Sequence, residues 1–376
     1  MLSVELLENL NSFAALPHAP GVESLDPGEF AKQGPDVHLR AVRNGTVEAR
    51  CSLWWQHTPE LPDTLNPNRC ENGSRGRSPT PNSGEEGLAE STEHQMPNAR
   101  RRMPNSVGLI GHYSAANEEA SAALLDRACT ELAEYGCTIA IGPMDGTTWR
   151  RYRLITARGT EPPFFLEPDN PDDWPGHFRA AGFGEFALYF SAVCTDLSYS
   201  DPRMERVTPR MESAGITIRA IDPARFEDEL RAIHALSLVS FRDNLLYSPI
   251  TEQEFIEQYR PVASLLSPEL VLLAEQRGSL VGFLFAIPDL LQAKRGQPVD
   301  TIVVKTAAVL PGREYAGLGA LLVARVHAVA LSLGYRRAIH ALMHESNESL
   351  SLSGRYARPF RRYTLFSKPL QGTATS

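Results

Sequence analysis

The sequence lacks the features by which several large classes of protein are recognised. Its 376 residues include five cysteines and no C-x-x-C pair, which argues against a disulfide framework and against a structural zinc site. Lys and Arg number 37, against 45 Asp and Glu, so there is no excess of positive charge with which to bind nucleic acid. We therefore expect neither a metal nor a nucleic-acid partner.

Signals for secretion or membrane insertion are also missing. The first residues carry Glu5 and Glu8 where a signal peptide would have basic residues. The apolar segment 320–333 is short and is interrupted by Arg325 and His327, so we do not expect it to span a bilayer. These observations predict a protein of the reducing cytoplasm with no membrane partner.

The most informative feature that is present runs from Thr301 to Gly334: an apolar stretch, a loop with Pro and Gly, and a second apolar stretch. The first stretch is rich in Val and Ala and contains one charge, Lys305, as expected of a buried strand. In the second stretch apolar residues recur at helical spacing as far as Leu333, and Gly334 provides a stop. The segment predicts a strand, a loop and a helix.

The junction of this loop with the helix contains Gly317 and Gly319. Without side chains at these positions, backbone N–H groups and the positive end of the helix dipole are open to a ligand, which favours phosphate binding. The same glycines also serve a plain turn between strand and helix, and the residues alone leave both interpretations open. No Gly-Lys-Ser/Thr sequence and no third glycine follow, so the loop is neither a nucleotide P-loop nor a dinucleotide fingerprint.

Further elements are predicted on both sides of the glycine loop. Upstream, Glu269 to Leu291 form two strand-like runs around Arg277 and Gly278, which is typical of a hairpin. The other predicted elements are a strand at 216–222, helices near 226–239 and 251–266, and strands at 336–347 and 361–370. The order is therefore hairpin, glycine-loop strand, long helix, strand, short helix and final strand.

This order resembles the GNAT superfamily of acyl-coenzyme A-dependent N-acetyltransferases over residues 216–370, and LPGREYAGLGALL is similar to the pyrophosphate-binding loop of that family. The usual pattern has Gln or Arg three residues before the first glycine. Here Glu314 occupies that place, and Arg313 lies one residue earlier. The resemblance implies an α/β (α+β) fold with a mixed, mostly antiparallel sheet flanked by helices.

The first half of the chain contains a second, altered version of the same pattern. An offset of 198 places Gly136 on Gly334 and aligns the helix before each glycine, and a hairpin signal at Asn44 and Gly45 corresponds to that at Gly278. Chance alignment of two similar helices is the alternative, but hairpin, strand, helix and following strand agree in the same order, which favours duplication.

We therefore predict two tandem GNAT-like domains. The first, 1–194, is degenerate and contains a disordered insertion at 58–104, rich in Pro, Asn and Ser. A linker at 195–215 leads to the acyl-CoA-binding domain, 216–370, and residues 371–376 form a tail. Because Glu119 and Ser121 stand opposite the two glycines, we expect that the first copy does not bind the cofactor.

The resemblance also implies the residues of a cofactor site. Backbone amides of the glycine-loop strand would hold the pantetheine and the acyl carbonyl of acetyl-CoA, and the loop would hold the pyrophosphate. The strand residues are Ala307, Ala308 and Val309, and the loop residues are Arg313, Ala316, Gly317, Leu318, Gly319 and Ala320.

Acyl transfer to an amine also needs a base for the amine and an acid for the departing thiolate. In the strand at 336–347, alternation places His340 and His344 on one face and Glu345 on the other, and any of them could be the base. The resemblance implies a role for Asn347 at the strand end and for Tyr356 as the acid. The catalytic candidates are Tyr356, Asn347, Glu345 and His344, while Tyr363 is assigned to packing.

Two segments of the first half, 142–153 and 165–174, are polar and aromatic, as in loops that line a substrate site or in ordinary surface loops. The predicted function is direct transfer of an acetyl group from acetyl-CoA to the amine of a small molecule or peptide, in a protein that could form homo-oligomers. The alternatives are a transferase using a longer acyl donor and an inactive binding or regulatory protein. Glu314 is the feature that favours the last.

Overall fold

The computed structural model of this chain describes residues 1–7, 16–25, 27–61, 107–345 and 357–371. Two compact units are present: Met1–Ile141 with Lys368–Ser376, and Gly142–Ser367. The predicted disordered insertion at 58–104 lies outside the described residues, apart from 58–61.

The first unit contains a sheet of five strands in the order β1-β2-β3-β4-β5. All neighbours are antiparallel except β4 and β5. Asn44 and Gly45 form the β2–β3 turn with φ of 51° and 76°, which confirms the hairpin prediction. The elements are β1 (Leu2–Leu7), α1 (Pro27–Lys32), β2 (Val37–Arg43), β3 (Thr46–Trp54), β4 (Val107–Ala115), α2 (Glu118–Glu134) and β5 (Ile139–Gly142).

The second unit has more elements and contains the glycine loop. Its elements are β6 (Leu154–Ala157), α3 (Trp174–Ala180), β7 (Gly184–Cys194), α4 (Met204–Ser213), β8 (Ile216–Ala220), α5 (Phe226–Ser240), α6 (Glu252–Tyr259), β9 (Val271–Gln276), β10 (Ser279–Pro288), α7 (Leu290–Lys294), β11 (Thr301–Val309), α8 (Leu318–Ser332), β12 (Arg337–His344) and β13 (Arg358–Pro369).

The strand order of the second unit is β13-β7-β12-β11-β10-β9-β8, and β6 pairs with the outer side of β13. The pair β11–β12 is parallel and its neighbours are antiparallel. The predicted fold class, α/β with mixed and mostly antiparallel sheets flanked by helices, is confirmed. Strand β7, the last of the predicted first domain, lies between β12 and β13 of the second. The domain limits at 194 and 216 stay a prediction.

The duplication seen in the sequence is visible as a repeated arrangement. In the first unit the hairpin β2–β3 pairs with β4, helix α2 follows, and β5 returns parallel to β4. In the second unit β9–β10, β11, α8 and β12 repeat these steps in the same order and orientation. Agreement in strand pairing, which the sequence does not display, is stronger support than the helix alignment alone.

Helices cover both faces of the second sheet. The apolar stripe of α8 packs on one face, where Leu322, Val326 and Ala330 join Leu284 and Ile302 in the core. On the other face α5 and α6 pack on the sheet through side chains that include Leu230, Ile233 and Phe255, against Leu273 and Phe283. Close packing between these layers holds the strands of the second sheet in fixed positions, and these strands carry the site described below.

One helical stretch among the described residues, Arg313–Ser332, has the length and composition of a membrane-crossing helix, with a mean hydropathy of 1.5. It is longer than the segment 320–333 considered from the sequence because it includes the turn Arg313–Tyr315. Its buried side chains are part of the core just described.

Candidate functional site

The two parallel strands of the second unit separate part of the way along their length. Their register runs from Thr301 opposite Arg337 to Val304 opposite His340 and ends there. Beyond this point β11 remains paired with β10 as far as Val309, while β12 follows β7 to His344. A cleft therefore opens between β11 and β12.

The free edge of β11 in this cleft contains the predicted residues Ala307, Ala308 and Val309. Since one side of this segment pairs with β10, its other side can offer backbone groups to an extended ligand, as the edge of a sheet does when it binds a peptide. The edge begins at Lys305, where the β10–β11 register shifts by one residue. Such a bulge turns the strand away from its partner.

The glycine loop follows β11 directly. Arg313–Tyr315 form a single 3₁₀ turn, and Gly317 precedes α8 with a φ of 88°, a conformation that suits glycine. The first N–H groups of α8 have no carbonyl partner within the helix, and they coincide with the positive end of its dipole. The structure thus brings together the predicted loop residues Arg313, Ala316, Gly317, Leu318, Gly319 and Ala320 around an open helix start.

Helix α4, which occupies the predicted linker, contributes to this loop. The guanidinium of Arg210 donates a hydrogen bond to the carbonyl oxygen of Ala316. A Cβ atom on Gly317 would lie 3.0 Å from Val207, so α4 fits closely against the turn. A cation beside the helix start favours an anion there. No pattern in the sequence indicated this role of Arg210.

Glu314, the departure from the family pattern, lies at the start of the loop. A Cβ atom on Gly312 would be 2.7 Å from its carboxylate, so this carboxylate is folded against Gly312. Gly312 is required by its φ of 155°, whereas the carboxylate lies at the end of a flexible side chain and can move.

The corresponding place in the first unit is built differently. Only Ala116 and Asn117 separate β4 from α2, and the side chain of Asn117 caps the helix by accepting a hydrogen bond from Ala120 N at 2.9 Å. Glu119 pairs with Arg43 at 2.7 Å. A helix start that is already capped and carries acidic residues is a poor anion site, which supports the prediction that this copy does not bind the cofactor.

His344 lies at the end of β12, on the cleft side of the divergence. Its ring is 4.8 Å from that of Tyr189, the residue opposite it in β7. Burial and the positive charge of Arg153 lower the pKa of His344, so the imidazole is neutral at pH 7 and able to accept a proton. Glu345 follows it and forms an ion pair with Arg362 at 3.1 Å. Asn347 and Tyr356 lie outside the described residues.

The expectation that His340 and His344 share a face is wrong, because β12 contains a bulge. His340 is opposite Ala192 but Met343 is opposite Phe190, which inserts one extra residue, and Leu342 has a φ of 60°. The inserted residue reverses the alternation of side chains. His340 therefore points towards α8, where its Nε2 lies 3.1 Å from that of His327.

A buried network holds this bulge in place. Leu342 N donates to Ser191 Oγ at 3.1 Å, Ser191 Oγ lies 3.0 Å from the hydroxyl of Tyr363, and that hydroxyl donates to Glu167. Arg361 pairs with the other oxygen of Glu167 at 2.5 Å. Tyr363 is thus more than a packing residue: it connects the bulge in β12 to a buried ion pair. Burial raises the pKa of Glu167, although its partners act in the opposite direction.

Both polar segments of the first half border the cleft. Leu166 O accepts a hydrogen bond from Lys305 Nζ at 2.9 Å, and Trp149 packs edge-on against Phe255 of α6 at 5.6 Å. Burial and the charge of Arg153 lower the pKa of Lys305 to about 8. The signal for Lys305 was present in the sequence, since it is the lone charge of an apolar strand, but its contacts were not predictable.

The chain is similar to known proteins in sequence and in structure. No family model matches the chain. It is 23% identical over 197 residues to Protein YghO of Escherichia coli (strain K12), which covers 52% of this chain and 50% of that protein. It is 22% identical over 194 residues to the Bacterial ceramide synthase of Caulobacter vibrioides, covering 50% of each. The chain thus matches about half the length of these curated relatives.

Solved structures with a similar arrangement include many GCN5-related N-acetyltransferases. A tandem GNAT protein from the clavulanic acid biosynthesis pathway is 11% identical, with a TM-score of 0.45 and 99% of each chain covered. The glucosamine N-acetyltransferase region of a fungal multi-domain GH3 β-N-acetylglucosaminidase is 13% identical, with a TM-score of 0.49, covering 98% of this chain and 38% of that one. Likeness at these identities concerns the fold alone. The element order on which the predicted resemblance rests, hairpin β9–β10, β11, α8 and β12, is present in the second unit.

Proposed function

We propose that this protein is an acyl-coenzyme A-dependent N-acyltransferase and that its second unit binds the donor. The observation that carries the proposal is the cleft that opens after Val304 and His340 and leads along β11 to the exposed start of α8 at Gly317. An open strand edge followed by an anion site matches a ligand with an amide-containing arm and a pyrophosphate.

The donor would be held by backbone groups rather than by side chains. Of the three predicted strand residues, Ala307 and Val309 would turn their amides to the pantetheine arm and polarise the acyl carbonyl, as preorganised N–H donors do in acyl transfer. Ala308 is in step with Leu310, whose N–H donates to Val281 O, so its own N–H faces β10. The pyrophosphate would be held by the loop from Arg313 to Ala320, with Arg210 beside it. Acetyl-CoA is the donor that we propose first.

His344 is the described residue that we propose as the base. The amine nitrogen attacks the thioester carbonyl, the C–N bond forms, the C–S bond breaks, and the amine proton passes to His344 directly or through water. The lowered pKa of His344 keeps it neutral for this step. Tyr356 is proposed as the acid that protonates the thiolate, and Asn347 as a neighbouring polar group.

Glu345 is the alternative base. Its carboxylate is already engaged in an ion pair with Arg362 at 3.1 Å. His344 is therefore preferred over Glu345, and substitution of each by Gln separates the two assignments.

A second candidate function uses a longer donor. The similarity to the Bacterial ceramide synthase of Caulobacter vibrioides favours it, because a ceramide is an amide of a long-chain acid. An inactive binding protein is the third candidate, and Glu314 favours it. The acceptor classes, a small molecule or a peptide amine, the cytoplasmic location and homo-oligomer formation are likewise proposals.

Release of free thiol from acyl-CoA in the presence of an amine panel tests the proposal. We expect amine-dependent release by the wild-type protein with acetyl-CoA, and none by Gly319→Glu, which places a carboxylate at the anion site. Ala328→Glu adds the same charge at an exposed position of α8 away from the loop and should retain activity. Release only with long-chain donors would favour the second candidate, and donor binding without release would favour the third.

A further inference from the structure

Arg153 is a buried cation that the proposed chemistry does not use. It lies just before β6 with a φ of 66° and is only 6% exposed. Its guanidinium is 4.0 Å from the ring centroid of Tyr152 and 4.1 Å from that of Tyr189. Its Nε and Nη1 atoms are buried and have no hydrogen-bond partner among the residues that the structure describes.

The two tyrosine rings account for the faces of this guanidinium but not for its edge. Stacking on an aromatic ring stabilises a cation through the face of the ring. The N–H groups lie in the plane of the guanidinium and point outward, so stacking leaves their hydrogen-bonding capacity unused. Buried donors left without acceptors are unfavourable, and a planar anion is the partner that a guanidinium fork binds best.

Arg153 also faces other polar groups of the cleft. It stacks on the ring of Tyr189, which is 4.8 Å from the ring of His344, so it lies close to the end of β12 at the cleft. Its charge lowers the pKa of both Lys305 and His344. The acidic neighbour that acts on Lys305 is Glu167, whose oxygens are already bonded to Tyr363 and Arg361. The cleft thus holds two basic side chains, Arg153 and Lys305, beside Glu167, whose carboxylate oxygens already have other partners.

From this arrangement we propose that the acceptor substrate carries an anionic group, a carboxylate or a phosphate, which Arg153 binds while the amine is acylated. The inference rests on the proposed function, since it names the acceptor class of that same site. The pyrophosphate of the donor would bind at a different place. It would bind at the glycine loop, which lies beyond Val309, and Val309 is four residues from Lys305 along the strand, about 13 Å at 3.3 Å per residue.

Matched pairs of amines test this inference. The pairs are ω-amino carboxylates from glycine to 6-aminohexanoate against their carboxamides, and phosphoethanolamine against ethanolamine, with thiol release from acetyl-CoA as the readout. We expect at least a tenfold higher kcat/KM for the anionic member of the best pair. Preference for the uncharged member throughout would overturn the inference. The two kinds of pair distinguish carboxylate from phosphate.

Substitution of Arg153 locates the preference. Arg153→Met should bring the ratio for the best pair to within about twofold while calorimetric binding of acetyl-CoA is retained, and Arg153→Lys should retain part of the preference. Arg179→Met is the control. Arg179 also stacks on an aromatic ring, that of Phe366 at 5.4 Å, but it belongs to α3, so this substitution should leave the ratio unchanged. An unchanged ratio in Arg153→Met would overturn the inference. If Arg153→Met fails to fold, the ratio of kcat/KM values for the best pair is measured in Arg153→Lys instead, and an unchanged ratio there would overturn the inference.

Failure of the proposed function is distinguishable from failure of this inference. If acetyl-CoA binds but no amine releases thiol, calorimetric titration of 4-aminobutyrate and phosphoethanolamine replaces the activity assay. Binding of either to the wild-type protein, lost in Arg153→Met and retained in part in Arg153→Lys, would support the anion site although the enzyme is inactive. No binding of either probe would contradict it.

Discussion

Val304 and His340 are the last paired residues of the parallel strands β11 and β12. Each strand continues beyond this pair with a different antiparallel partner, β10 for one and β7 for the other. The bulges at Lys305 and Leu342 lie immediately after it, so both strands turn just where they separate. The cleft is therefore a property of the strand pairing and not of a flexible loop.

The loop geometry gives a prediction about stability. Gly317→Ala should destabilise the fold by about 1–2 kcal/mol, because an alanine at a φ of 88° is strained and its Cβ would lie 3.0 Å from Val207. Gly319→Ala is the matched control: its Cβ would meet only Val309, at 3.9 Å, and alanine favours the helix by about 0.5–1 kcal/mol. Urea unfolding of the two variants measures the difference, and equal stabilities would contradict the left-handed turn.

The network around Glu167 predicts a combined effect on stability and activity. Tyr363→Phe should cost about 1–3 kcal/mol, because the buried oxygens of Glu167 and Ser191 lose a partner. It should also lower kcat by about tenfold with little change in KM for acetyl-CoA, since the bulge that directs His344 is no longer held.

Chemical unfolding and steady-state kinetics measure these two effects of Tyr363→Phe. Tyr199→Phe is the control, at a tyrosine that is 40% exposed. If Tyr363→Phe loses stability but keeps its kcat, then the network has a structural role only and the positioning role assigned to Tyr363 fails.

Removing the ion-pair partner should be more damaging than removing the hydroxyl. Glu167→Gln leaves the fully buried guanidinium of Arg361 without a counter-charge, which costs about 3–5 kcal/mol. Glu185→Gln is the comparison, because Glu185 pairs with Arg179 at 3.1 Å where both side chains are half-exposed, and it should cost less than about 1 kcal/mol. Thermal melting of both variants would show similar midpoints if the buried pair were unimportant.

The two core histidines predict acid sensitivity. Burial lowers the pKa of His327 to about 4 and that of His340 to about 3, from an ordinary 6.5. As the pH falls below 6.5 the unfolded chain therefore binds protons first, and stability that is complete above pH 6.5 is lost as the pH approaches 4. The expected loss between pH 7.5 and 5.5 is about 2–3 kcal/mol for the two groups together.

Urea unfolding as a function of pH measures this loss. The double variant His327→Leu, His340→Leu should lose less stability over the same interval, because neither core position can then take up a proton. His57→Leu, at an exposed position, should keep the wild-type dependence. A double variant as acid-sensitive as the wild type would show that other groups are responsible.

The sequence predicted those features that depend on local pattern. The periodicity of apolar residues predicted the strands and helices of both halves. The Asn44–Gly45 pair predicted the first hairpin, and Gly317 predicted the turn before α8. The duplication was visible because both copies keep the same order of elements. These are properties of neighbours in the chain, which composition and spacing record directly.

The features that were missed depend on contacts between distant residues. Leu342 has no sequence signal for a bulge, which is held by Ser191 and Tyr363 from other strands. Arg210 and Arg153 come from segments assigned to a linker and to a loop, so their positions beside the glycine turn and the cleft could not be read from spacing. The position of Arg153 follows from that of its ring partner Tyr189 on β7, which lies between β12 and β13.

Calorimetric titration with acetyl-CoA tests the central claim most directly. The wild-type protein and Ala328→Glu should bind one acetyl-CoA per chain, because the helix start of the first copy is closed by Asn117 and Glu119, and Gly319→Glu should show no detectable binding. Absence of binding to a folded wild-type protein, or equal binding by Gly319→Glu, would contradict the account.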